Sequence, residues 1–124
     1  MTSIIRHITI DCADPYRLAG YWADVLGKDL EPEDEPGDDD ALVSLGNAMP
    51  GLLFMRVPEG KTVKNRIHFD LQPQDRTRDE EIDRLIGLGA TPVDDRRTPE
   101  GRGWIVLADP EGNELCVELS VSER

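Results

Sequence analysis

The groups in this chain that could do chemistry recur at matched places. His7 stands seven residues before Asp14 and His68 seven before Asp75, so the second pair repeats the first sixty-one residues on. Further along, "ELCVEL" spaces Glu114, Cys116 and Glu118 two residues apart. Successive side chains of a strand point to opposite faces, so these two carboxylates and the thiol share one face, and Leu115, Val117 and Leu119 share the other. The same parity gathers His7, Thr9 and Asp11 on one face of "HITIDC", and Arg66, His68, Asp70 and Gln72 on one face of "RIHFDLQ". In "LLFMRV" both faces begin apolar, and matching it to the last strand assigns Leu52, Phe54 and Arg56 to the polar side. Imidazoles, carboxylates, a thiol and a ring on one surface can orient a bound small molecule by hydrogen bonds, charge pairing and stacking. Two mid-strand histidines more often form a hydrogen-bonded wall than a metal centre.

The elements that must hold these residues are written twice. Asp14 suits a helix N-cap, Pro15 its first position, and Leu18, Tyr21, Trp22, Val25 and Leu26 form one apolar stripe that Gly27 ends. In the second half Thr77 and Glu80 can form a capping box, Ile82, Leu85 and Ile86 make the stripe, and Gly87 or Gly89 stops it. Strand-like runs follow each helix: 29–33, 41–47 and 52–57 in the first half, 91–95, 103–108 and 114–120 in the second. The chain therefore reads as a single domain, 1–124, of two βαβββ modules, 1–60 and 61–124. One helix covers one sheet face of each module, and the other face must be buried or wall a cavity. The expected class is α+β: a curved, partly closed mixed sheet with helices outside and a ligand groove inside. Ile8, Ile10 and Cys12, and likewise Ile67, Phe69 and Leu71, are expected under the helices.

Composition narrows the function. The net charge of −12 argues against nucleic acid and anionic membrane surfaces, which call for clustered Lys and Arg. Acidity concentrates in "EPEDEPGDDD", residues 31–40, which reads as a solvated self-repelling loop or, alternatively, as a lure for cationic ligands. There is no apolar stretch of membrane-spanning length, and "MTSIIRHITI" lacks the basic start and apolar run of a signal peptide, so a cytoplasmic location is expected. Cys12 and Cys116 point to opposite sides of the sheet and are expected as separate, small apolar residues rather than a disulfide. Trp22 falls on the helix stripe and reads as core. Trp104, after "GRG", would line the groove mouth or cover a subunit seam. Arg56 and Arg66 are expected in structural ion pairs with Asp70 or Glu118.

Three segments on this duplicated plan, "ITIDCADPYRLAGYWADVLGK", "NRIHFDL" and "GWIVLADPEGNELCVEL", resemble the glyoxalase/bleomycin-resistance/dioxygenase proteins, the vicinal oxygen chelate superfamily. Within it the chain looks most like the small glyoxalase-like domains, over nearly its whole length. The resemblance implies a homodimer with a ligand groove in each curved sheet. In the enzymes it also implies one divalent metal, held by the first and last strands of each half. His7 and His68 match the two first-strand ligand positions, Cys116 stands where the enzymes hold a Glu, and the duplication places Phe54 at the remaining position. Without those carboxylates a hard six-coordinate ion such as Mg²⁺ or Mn²⁺ loses most of its attraction. Glu118, about 7 Å further along the strand, would need a register shift to replace one. No cofactor is therefore expected; were a divalent metal (Zn, Ni, Fe or Mn) held, its ligands would be His7, His68 and Cys116. The leading reading is a metal-independent binder of a cationic or aromatic small molecule, akin to the antibiotic-sequestering members. Its ligand would be lined by His7, Thr9, Asp11, Phe54, His68, Asp70, Trp104, Cys116 and Glu118, with no nucleic-acid or membrane partner. The alternatives are a metal-dependent lyase, isomerase or dioxygenase, an enzyme using His68 as proton carrier, and an interaction domain with a vestigial groove.

Overall fold

Asp14 opens the first helix as its spacing requires, with its carboxylate accepting the N–H of Arg17, and Gly27 closes it in the left-handed region at φ 65°. In the computed structural model, which describes residues 2–47 and 49–124, this helix, α1 (Pro15–Leu26), follows strand β1 (His7–Cys12) and precedes β2 (Asp40–Val43) and β3 (Gly51–Arg56). The chain divides into two compact units, residues 1–60 and 61–124. In the first, the strand order is β1-β3-β2, with β1 parallel and β2 antiparallel to β3. Leu18, Ala19 and Trp22 of α1, with Ala41, Val43, Leu52 and Phe54 of the sheet, form its buried core. Trp22 meets Tyr21 edge-on, with ring centroids 5.6 Å apart.

Two expectations for this unit are corrected. The run 29–33 makes only an isolated bridge, Leu30 to Val43, because the chain turns at Pro32, which has no N–H for a ladder. The second correction concerns Phe54. Register pairs Ile8 with Leu52, Ile10 with Phe54 and Cys12 with Arg56, so Phe54 shares the helix-covered face and has 0% of its surface exposed. The open face carries His7, Thr9 and Asp11 beside Gly51, Leu53 and Met55. Arg56 pairs with Asp39 at 3.4 Å and donates to the carbonyls of Ala13, Gly37 and Asp38, so it ties down the acidic loop rather than meeting Asp70 or Glu118.

The second unit contains β4 (Phe69–Leu71), α2 (Arg78–Leu88), β5 (Thr91–Asp95), β6 (Ile105–Ala108), β7 (Glu114–Val117) and a 3₁₀ turn, Val121–Glu123. Its sheet runs β4-β7-β6-β5, parallel between β4 and β7 and antiparallel elsewhere. Both reciprocal bonds of the Thr77–Glu80 capping box form, at 2.9 and 3.1 Å. Ile82 and Leu85 bury against a core that includes Leu107, Leu115 and Val117. Ile86 does not, and Arg78 and Glu81 are buried instead, because each is paired: Arg78 donates to the carbonyls of Arg102 and Gly103, and Glu81 accepts from Arg84 at 2.7 Å. Ile67, expected under α2, precedes the short β4 and is 76% exposed.

The α+β class thus holds: the described residues form two α-helices and two mixed sheets of three and four strands, neither closed. Cys12 and Cys116 are both buried, and neither is in a disulfide. Among the described residues, no helix is long and apolar enough to cross a membrane.

Candidate functional site

The turn "DPEGN" sets the register of the site. The buried carboxylate of Asp109 accepts the N–H groups of Glu111 (2.8 Å) and Asn113 (3.0 Å) and the side-chain amide of Asn113 (3.1 Å). Gly112, at φ 89°, completes the turn. With β6 and β7 so fixed, the strand pairing lays residues out in rows on the open face. Asp70 pairs with Cys116, Cys116 with Val106, and Val106 with Asp94, across all four strands. One step along lie Glu118, Trp104 and Arg96, with the N–H of Arg96 bonded to the carbonyl of Trp104 at 2.9 Å. On the other side stand His68, Glu114 and Lys64. Together these ten residues line a cavity of about 450 Å³.

The polar groups of the cavity have distinct roles. Glu114 is a fastening. Its side chain, 10% exposed, meets Lys61 at 2.8 Å and Lys64 at 3.1 Å and accepts the N–H of Asn65 at 3.1 Å. The Lys61 hydrogen bond, then the Asn65 N–H and Lys64, hold its carboxyl down at about 2 from an ordinary 4.5, against the opposing effect of burial. A carboxyl depressed in the folded state stabilises fully above its unfolded value and stops doing so as pH falls through the folded one. Thermal unfolding is therefore expected to show a midpoint that falls between about pH 4.5 and pH 2, more weakly in Glu114→Gln. Asp95, lowered to about 2 by Arg97, leaves a residual slope in the same window. An identical acid slope in the variant would contradict this role for Glu114.

Cys116, 6% exposed, is not an activated nucleophile. Burial first, then the Asp70 carboxylate, push its thiol up to about 11. Its Sγ lies 3.9 Å from Nδ1 of His68, and the same Nδ1 lies 3.3 Å from Oδ1 of Asp70. A relay needs the nucleophile and the orienting carboxylate on opposite ring nitrogens, so these three are not wired as one. Glu118 at the rim pairs with Arg124 at 3.3 Å, and Arg124 also donates to Gln72 at 3.1 Å. Asp94 pairs with Arg96 at 2.7 Å. Trp104, 44% exposed, and Val106 supply the apolar floor.

The cavity therefore brings together His68, Asp70, Trp104, Cys116 and Glu118 of the residues expected from sequence. His7, Thr9 and Asp11 share the open face of the other unit's sheet, and Phe54 lies in that unit's core. Lys64, Asp94, Arg96 and Val106 were not foreseen. Alternation from Trp104 already marks Val106, whereas Asp94 and Arg96 follow only from the register between β5 and β6.

Residues 7–118 match the family described as glyoxalase-like domain. No curated protein matches the sequence. Among solved structures, the chain is similar to the fosfomycin resistance protein FosX from Listeria monocytogenes, solved as a variant with Mn(II) and 1S,2S-dihydroxypropylphosphonic acid: 18% identity, 99% of this chain and 94% of that one, TM-score 0.70. It is also similar to a glyoxalase/bleomycin resistance protein/dioxygenase family enzyme from Burkholderia phytofirmans, at 16% identity, 93% and 97% coverage and TM-score 0.67. A glyoxalase-related enzyme from Fulvimarina pelagi aligns at 16% identity, 94% and 88% coverage and TM-score 0.64. At these identities the likenesses establish the fold.

Proposed function

The chain belongs to the glyoxalase-like domain family, and on that premise we propose that it binds an organic cation with a flat apolar body on the open face of its second sheet, without breaking a bond. The observation that carries this reading is the floor of Trp104 and Val106 in a cavity of about 450 Å³ whose row neighbours include the carboxylates Asp70 and Glu118. The ring of Trp104 offers a stacking surface, and Asp70 and Glu118 offer charge-assisted hydrogen bonds. Cys116, His68 and Asp70 are not wired as a nucleophilic relay, because thiol and carboxylate meet the same ring nitrogen, which suits holding a ligand rather than transforming it. The working assembly in this reading is a cytoplasmic homodimer, carried by the family resemblance.

The competing reading, a metal-dependent lyase, isomerase or dioxygenase, needs donors for a hard ion. Strand register bears directly on those donors. Ile8 pairs with Leu52 as Phe69 pairs with Leu115, so the counterpart of Cys116 in the first half is Leu53, not Phe54. Leucine offers no ligand atom and a thiol is a poor partner for Mn²⁺ or Mg²⁺. The neighbouring carboxylate, Glu114, is already engaged by two lysines. The hard-ion set does not fit this chain.

Calorimetric titration of the chelator-treated full chain with acridine orange, a planar cation, and anthracene-2-carboxylate, a planar anion, tests the proposal. Binding of the cation in the micromolar range is expected, weakened about tenfold in Asp70→Asn and in Trp104→Ala, with no detectable binding of the anion. Equal binding of both dyes, or affinity unchanged in both variants, would overturn it.

A further inference from the structure

Three of the four carboxylates that line the cavity are matched by a cation of the chain itself. Glu114 meets Lys61 at 2.8 Å and Lys64 at 3.1 Å, Asp94 meets Arg96 at 2.7 Å, and Glu118 meets Arg124 at 3.3 Å. Asp70 has His68 at 3.3 Å and, among the described residues, no Lys or Arg paired with it. The match at Glu118 differs from the one at Glu114. The Glu114 side chain is 10% exposed beneath its lysines, whereas those of Glu118 and Arg124 are 39% and 50% exposed, so a ligand can reach the pair. Arg124 engages Oε1 and leaves Glu118 a hydrogen-bond acceptor without spare charge. Arg124 is also held from behind. Glu123 seats the 3₁₀ turn on the start of α2, its Oε1 accepting the N–H of Arg78 at 2.7 Å and that of Ser120 at 2.9 Å. From that seat Nη2 of Arg124 donates both to Glu118 Oε1 at 3.3 Å and to Gln72 Oε1 at 3.1 Å, bridging the ends of β7 and β4.

We propose that Arg124 sets the charge of the ligand: by occupying Glu118 it limits the cavity to cations with a single positive charge, taken at Asp70, and Glu123 is the residue that positions it. This limit rests on the organic-cation reading of the cavity and adds to it the valence of the ligand. Glu118 stands two residues beyond Cys116, the register partner of Asp70, so the two carboxylates are separated by about 7 Å along the sheet. A second charge on an arm of that length would come to rest beside Glu118, where the guanidinium of Arg124 lies, and like charges there repel. A monocation held at Asp70 over Trp104 does not contest that place. Because the Arg124 pair is exposed, the discrimination it imposes is several-fold rather than many orders of magnitude.

Ethidium and propidium share one planar ring system, and propidium carries a second, quaternary charge on a propyl arm. Both are titrated calorimetrically into the full chain at about 0.15 M salt, where distant charges are screened. In Arg124→Ala, propidium affinity is expected to rise about fivefold and ethidium affinity to stay within about twofold of the unaltered protein. Glu123→Ala is expected to give the same selective gain, which a merely structural contact would not, and Glu118→Gln added to Arg124→Ala to remove it. Arg17→Ala, which takes the same charge from the first unit, is expected to leave the ratio of the two affinities unchanged. Thermal unfolding of each variant checks that it is folded at the titration temperature. A gain shared equally by both dyes, a gain as large in Arg17→Ala, or no gain for propidium in Arg124→Ala would each overturn the proposal while leaving ethidium binding, and with it the organic-cation reading, in place. Failure of both dyes to bind any of these proteins would overturn both.

Discussion

Phe54→Ala is expected to destabilise the protein by about 3–5 kcal/mol. The ring has 0% exposure and sits among Ile10 and Ala41, its register partners on either side, on the face that α1 covers. Removing it forfeits the transfer free energy of a phenyl group and leaves a void that the sheet cannot close, since Leu52 and Val43 are fixed by strand pairing. Urea unfolding followed by circular dichroism measures the loss. A small change in stability would contradict the core placement and return Phe54 to an exposed face. The same substitution leaves the cavity of the second unit untouched, so acridine orange affinity of the folded fraction is expected to stay within a factor of two or so.

The second large effect is expected at Gly103, which holds the base of the β5–β6 hairpin. A Cβ there would collide with the carbonyl oxygen of Arg96, and φ is 85°. The obstructing atom is backbone, so relief requires moving one strand end, which strains the Arg96–Trp104 bond and the Arg78 contact to the Gly103 carbonyl. Gly103→Ala is expected to lower stability by about 3 kcal/mol. Gly101 is the internal control. It has the same φ of 85° and nothing within 4 Å of its Cβ position, so Gly101→Ala should show only the left-handed backbone penalty, about 1–2 kcal/mol. Equal losses at the two positions, by thermal unfolding, would mean that the close crossing at Arg96 is not rigid. Because Trp104 follows Gly103 directly, the fluorescence of that ring should shift in Gly103→Ala and remain in place in Gly101→Ala.

What could be read from sequence was local. Asp14, Pro15 and Gly27 bound one helix, and Thr77 with Glu80 opened the other, because capping needs only neighbours along the chain. The polar face of β7 was legible from strict alternation, and Cys116 and Glu118 line one cavity with His68 and Asp70. Parity failed in "LLFMRV", where both faces are apolar and hydrophobicity carries no phase. The halves are also offset unequally: sixty-one residues separate His7 from His68, but sixty-three separate Leu52 from its counterpart Leu115, so a uniform repeat does not fix the position opposite Cys116. The direct neighbourhood of Asp70 and Cys116 depends on a strand pair forty-six residues apart, and the lysine clamp on Glu114 on a loop fifty residues upstream. Such contacts exist only once the register is known.

Everything proposed for this chain requires the open face of β4, β7 and β6 to hold a ligand. The most direct measurement is an amide NMR titration of the ¹⁵N-labelled full chain with acridine orange. Saturable shifts are expected, concentrated at His68, Asp70, Trp104, Val106, Cys116 and Glu118. Shifts confined to the first unit, or none at saturating probe, would contradict it.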